Sequence, residues 1–119
     1  MAKRLFIIDD DEDILEILSI VFEDEGYNVV TANNSDAANY ILELSPDLIL
    51  LDVRIAGSPK SGLQICQELK SRQTTCNIPI ILISAEHNLA LLASNCHADS
   101  YVNKPFEITD LLQTVAQYV

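Results

Sequence analysis

The sequence predicts a doubly wound α/β fold, a five-stranded parallel sheet with helices on both faces. Short, continuously apolar runs alternate along the chain with segments whose apolar residues recur at helical spacing. Those runs lack the polar alternation of half-exposed strands, so both faces of the sheet must be covered, and strands in this order are joined by right-handed crossovers. The chain has 119 residues, 49% of them hydrophobic and 21% charged, which suits one buried core, so residues 1–119 are expected to form a single domain.

Leu5 to Ile8 reads as the first strand, an apolar run that stops at acids. From Asp11 onward Ile14, Leu15, Leu18, Val21 and Phe22 recur at helical spacing behind an acidic first turn, and Gly26 supplies the stop. Tyr27 to Thr31 is the second strand, and Ser35 can cap a helix carrying Ala38, Ile41, Leu42 and Leu44 before Pro46. Asp47 to Val53 is the central strand, an apolar run ending in the carboxylate of Asp52. Beyond the Gly57 to Gly62 loop, Leu63, Ile65, Cys66 and Leu69 predict a third helix, and Ile80 to Ile83 a fourth strand. A short helix through Leu89 to Ala93 and a strand at Ser100 to Val102 follow. Ile108, Leu111, Leu112 and Val115 are expected on the inner face of a closing helix.

Charge excludes several functions. With 18 acidic residues against 7 Lys and Arg, the net charge of -11 repels nucleic-acid phosphates and anionic lipid. No apolar run is long enough to cross a bilayer, and the N-terminal run is too short for a signal-peptide core. Cys66, Cys76 and Cys96 form no C-x-x-C pair and suit reduced thiols, which points to a cytoplasmic home.

In open parallel sheets, sites lie beyond the carboxyl ends of the strands. Here those ends carry Asp9, Asp10, Asp52, Ser84 and Lys104. If the first and third strands are neighbours, three carboxylates meet at one rim, where like charges ~4 Å apart at an effective dielectric of ~20 repel by about 4 kcal/mol per pair. A shared proton or a hard divalent cation can relieve this, and magnesium suits the oxygen set better because its remaining positions accept phosphate oxygens. Phosphoryl transfer then has a nucleophile in Asp52, metal ligands in Asp10 and, through water, Asp9, a hydroxyl donor in Ser84 and a cation in Lys104. Taken singly, each residue has a plainer role: Asp11 to Asp13 favour a helix start, Asp52 a turn, Ser84 a strand end, Tyr101 an amphipathic edge and Lys104 solvent. Their joint order carries the case. His87 and His97 are expected to be surface or packing residues.

Phe6 to Asp11, Asp47 to Arg54, Ile80 to Ala85 and Tyr101 to Phe106 together resemble, over essentially the whole chain, a stand-alone response-regulator receiver domain of two-component signalling. The resemblance implies a flavodoxin-like sheet in strand order 2-1-3-4-5, with Asp52 as phosphoacceptor. It implies Mg2+ held by Asp9, Asp10, Asp52 and the backbone carbonyl of Arg54, with Lys104 contacting the phosphoryl oxygen. Ser84 and Tyr101 would form a switch that remodels the face around the fourth helix, fifth strand and fifth helix. Such a protein is not a conventional enzyme, since it catalyses its own aspartyl phosphorylation and dephosphorylation. Its expected partners are a sensor histidine kinase or histidine phosphotransfer protein and a downstream protein target, with no direct nucleic acid contact and no membrane insertion. A cis Lys104–Pro105 bond is also implied.

The chain departs from the family pattern at three places. Ala56 stands where a proline is usual, Ser58 to Ser61 lengthen the loop before Gly62, and His97-Ala98 replaces the usual Gly-Ala in a shortened segment between Ser84 and Lys104. The fourth helix is therefore expected to be reduced or shifted. Three rival functions compete. Asp9-x-Asp11 also resembles the nucleophile motif of haloacid-dehalogenase-like phosphohydrolases, though that leaves Asp52 unexplained. A flavodoxin-like cofactor binder needs a small hydroxyl-rich loop where this chain has acids. A receiver-like interaction module that does not depend on phosphorylation would use the fold alone.

Overall fold

The computed structural model describes residues 2–119. Five strands, β1 (Arg4–Ile8), β2 (Asn28–Ala32), β3 (Leu48–Asp52), β4 (Ile80–Ser84) and β5 (Ser100–Asn103), form one parallel sheet in the order β2-β1-β3-β4-β5. The interior strands β1, β3 and β4 are the continuously apolar runs of the sequence, and they are buried nearly end to end. Alternate residues serve opposite faces. Phe6, Ile8, Ile49, Leu51, Ile80 and Leu82 pack with Ile41, Ile65, Leu69, Leu89 and Cys96 on one side. Leu5, Ile7, Leu48, Leu50, Ile81 and Ile83 pack with Leu15, Leu18, Phe22, Leu111 and Val115 on the other.

Helix α1 (Glu12–Asp24) starts where Asp11 accepts from the N–H groups of Asp13 and Ile14, a side-chain cap reinforced by acids in the first turn. Strand β2 begins one residue later than predicted, because Tyr27 turns back to set its ring edge-on against Phe22, with centroids 5.6 Å apart. The predicted second helix differs more. Asn34, not Ser35, caps it; Ser35–Tyr40 is a 3₁₀ helix, and only α2 (Ile41–Leu44) is α-helical. The segment from Ser35 to Asn39 offers no apolar i, i+4 pair to favour the wider helix, and its start is held by the β3–α3 loop, through a hydrogen bond from Ser35 N–H to Ser58 Oγ of 3.0 Å.

Helix α3 (Gly62–Ser71) opens with a reciprocal cap between Ser61 and Gln64. The short fourth helix is α4 (Leu89–Cys96), and the chain closes with α5 (Ile108–Ala116). Leu111 and Val115 face inward as expected and Leu112 is partly covered, but Ile108 is 42% exposed, because it lies at an open apolar recess with Ile14, Ile17 and Phe106 and not in the core. The thiols of Cys66, Cys76 and Cys96 are free, the first and last of them buried. No helix among the described residues is long and apolar enough to cross a membrane.

Where the family pattern has Gly-Ala, His97 caps α4 in the left-handed conformation, at φ 63° and ψ 31°, so that Ala98 N–H reaches the Ala93 carbonyl. A side chain at such a cap costs on the order of 1 kcal/mol relative to glycine. His97→Gly is accordingly expected to raise unfolding stability by about 1 kcal/mol in urea titration. A loss instead would mean that the imidazole makes contacts that outweigh the strain.

Candidate functional site

Register builds the site. Ile8 lies opposite Leu51, so the next residues, Asp9 and Asp52, emerge side by side at the carboxyl edge of β1 and β3. Ser84 closes β4 opposite Asn103, and Lys104 follows at once, its N–H bonded to the Ser84 carbonyl at 2.9 Å. The Lys104–Pro105 peptide is cis. Tyr101 sits within β5 and is 41% exposed.

One carboxylate oxygen from each of Asp9, Asp10 and Asp52 lies within 4.8 Å of the other two. Asp9 and Asp52 are buried, whereas Asp10 faces solvent. The Lys104 ammonium reaches between the buried pair, 2.9 Å from Asp9 Oδ2 and 3.3 Å from Asp52 Oδ2. Asp9 Oδ1 accepts from Asp11 N–H at 2.9 Å, and Asp10 Oδ2 from Ala56 N–H at 3.2 Å. Ser84 Oγ accepts from Glu86 N–H at 3.3 Å, which leaves its own proton free to donate outward.

These contacts set the protonation chemistry. Burial, then the charge of Asp9, pushes the Asp52 carboxyl up to about 6 from its ordinary 3.8, against the opposing pull of Lys104. Burial works against the Lys104 charge too, but the hydrogen bond and charges of Asp9 and Asp52 outweigh it and hold the ammonium above its ordinary value. Three carboxylates against one ammonium leave two negative charges uncompensated, beside an all-oxygen donor set. Such a set fits a hard divalent cation.

The sequence-predicted residues Asp9, Asp10, Asp52, Ser84 and Lys104 thus converge. Arg54 lies at the same recess, and its side chain leaves the acids to pair with Glu86 across the mouth. Glu86 and the exposed His87 also line this recess. His87 is at the surface, as the sequence predicts, but its place at this recess and that of Glu86 were not foreseen. The signal available was their position two and three residues beyond Ser84, within reach of the same rim.

The family model described as the response regulator receiver domain matches residues 5–116. Among solved structures, a putative response regulator from Chloroflexus aurantiacus is 27% identical, with a TM-score of 0.90 over 99% of this chain and 98% of that one. The receiver domain of NtrX from Brucella abortus is 28% identical, with a TM-score of 0.87 over 96% of each chain. In a longer NtrX structure from that organism, the matched region spans 27% of the length. The chemotaxis response regulator CheY4 of Vibrio cholerae, 21% identical with a TM-score of 0.90 over the whole of both chains, shares the fold.

Proposed function

The chain belongs to the response regulator receiver domain family, and on that premise we propose that it is a signalling switch that accepts a phosphoryl group on Asp52 with the help of Mg2+. The observation that carries the reading is the cluster itself: a buried carboxylate, two further acids and an ammonium within contact distance at one sheet edge. Asp9, Asp10, Asp52 and the Arg54 carbonyl would hold the ion. When bound, it would neutralise charge on the transferring phosphoryl oxygens.

The remaining work falls to the chain. An Asp52 carboxylate oxygen attacks phosphorus as the bond to the donor histidine nitrogen breaks, and the product is an acyl phosphate on Asp52. Lys104, already 3.3 Å from Asp52 Oδ2, exchanges that contact for a phosphoryl oxygen. Ser84, whose hydroxyl proton is not engaged by Glu86, would donate it to another. Ser84 moving towards the phosphoryl group, and the exposed Tyr101 ring turning inward behind it, would carry the change to the protein surface. The donor is a sensor histidine kinase or a histidine phosphotransfer protein in the cytoplasm, and the output is an altered contact with a downstream protein.

Incubation with a small acyl-phosphate donor and Mg2+ is expected to add one phosphoryl group by intact mass, and Asp52→Asn to prevent it. An unchanged wild-type mass despite Mg2+ binding would favour the interaction module that signals without phosphorylation. Turnover of phosphate monoesters by Asp52→Asn would favour a phosphohydrolase centred on Asp9.

A further inference from the structure

The lengthened loop between β3 and α3 makes two contacts that the phosphoryl chemistry does not use. Its base is closed by a hydrogen bond from Gly62 N–H to the Val53 carbonyl at 2.8 Å. Its tip is a tight turn, in which Ser58 N–H bonds the Ile55 carbonyl at 3.1 Å and Gly57 takes a φ of 75°. Ile55 roots that turn in the apolar core. The loop is therefore a built element, and a shift at one end of the turn is felt at the other.

At one end, Ala56 N–H donates to Asp10 Oδ2, and among the described residues this is the only hydrogen bond made by that carboxylate. A proline at position 56, usual in the proteins this chain resembles, has no N–H to give. At the other end, Ser58 Oγ accepts from the N–H of buried Ser35. That N–H opens the 3₁₀ helix, where no intrahelical acceptor exists for it. Two hydrogen bonds and one rooted turn thus connect an acid of the site to an element on the far side of the loop. The backbone of Arg54 lies within the same loop.

We infer that Ser58 is a positioning residue for the acid site: by tying the lengthened loop to Ser35, its hydroxyl holds the Ala56 N–H on Asp10 and couples occupation of the site to the 3₁₀ helix Ser35–Tyr40. This rests on the reading of the acids as a Mg2+ site. The tie limits the rotation of a solvent-facing carboxylate before the cation arrives, so less ordering remains to be done on binding. Coupling of this kind is reciprocal: a cation that fixes Asp10 also fixes the loop, and with it the acceptor offered to Ser35.

The test uses the full chain, with Mg2+ alone as the probe. Calorimetry is expected to show Mg2+ binding weakened roughly 10-fold in Ser58→Ala and restored in Ser58→Thr, which keeps the hydroxyl. Amide hydrogen exchange is expected to show Mg2+-dependent protection of Ser35–Tyr40 in the wild type, absent from both Ser58→Ala and Ala56→Pro. Ala56→Pro cuts the connection at its other end, so the exchange arm stands even if Ser58→Ala fails to fold. Wild-type affinity in Ser58→Ala, failure of Ser58→Thr to restore it, or Mg2+ binding that leaves Ser35–Tyr40 unchanged would each overturn the inference. A wild type that takes up a phosphoryl group without any such response would sink this coupling and leave the switch standing, whereas no Mg2+ binding at all would sink both.

Discussion

Asp52→Asn is expected to stabilise the metal-free protein by on the order of 2–3 kcal/mol at neutral pH while abolishing phosphoryl uptake. The direction follows from the raised Asp52 pKa. With a folded value of about 6 against an ordinary 3.8, the native state binds a proton that the unfolded chain has already lost. Below the ordinary value both states are protonated, and the native state keeps the full benefit. As pH rises to about 6 that benefit is lost, and above it the wild type carries an ion that burial and Asp9 disfavour. Asparagine never ionises, so its advantage should grow between pH 4 and 6 and then level off. Lys104 keeps its 2.9 Å contact with Asp9, and its charge stays paired.

Added Mg2+ should narrow that difference, because a ligand that binds the native wild type at a hundredfold excess over Kd contributes roughly 3 kcal/mol, and the variant has lost one of its oxygen donors. Denaturation profiles across pH, with and without the ion, separate these contributions. A variant less stable than wild type at pH 7.5 without metal would show that the Lys104 contact outweighs desolvation of the carboxylate. In the expected outcome, the strain at the edge of β3 belongs to the chemistry: the carboxylate is held at a cost to stability that bound cation offsets.

The interior of the fold was legible because each interior strand is apolar on both faces, and the site because acids and a lysine interrupt those runs at corresponding ends. Neighbouring order was less so. That β1 lies between β2 and β3 came from family resemblance, since five similar apolar runs permit other orders. The edge strands β2 and β5 are only partly buried, which blurs the periodic signal that marks strand ends. Pairings and helix type were set by distant contacts that no local pattern carries. Ser35 begins a 3₁₀ helix under a hydroxyl 23 residues away in sequence, and Lys104 chooses Asp9 across a separation of 95. Ile108 obeys the helical spacing yet faces solvent, since spacing gives a stripe but not where the neighbouring layer ends. Glu86 and His87 reach the recess because of the path of one short loop, which no local pattern specifies.

Gly62→Ala is expected to destabilise the fold by about 3 kcal/mol or more and to suppress phosphoryl uptake at Asp52 in whatever protein remains folded. A Cβ built at Gly62 would stand 1.8 Å from the Asp52 carbonyl oxygen and 2.8 Å from its carbonyl carbon. Both are backbone atoms of an interior strand, so no side chain can rotate away, and either α3 lifts from the sheet or the end of β3 moves. The second response displaces the acceptor carboxylate from Lys104, now 3.3 Å away. Gly57→Ala separates collision from backbone strain. Gly57 has a φ of 75° and nothing within 4 Å of a built Cβ, so alanine there should cost only the left-handed penalty, about 1 kcal/mol, and leave Asp52 in place. Equal losses at the two positions would assign the cost to loop conformation, and would remove the argument that the start of α3 sets the position of the phosphoacceptor.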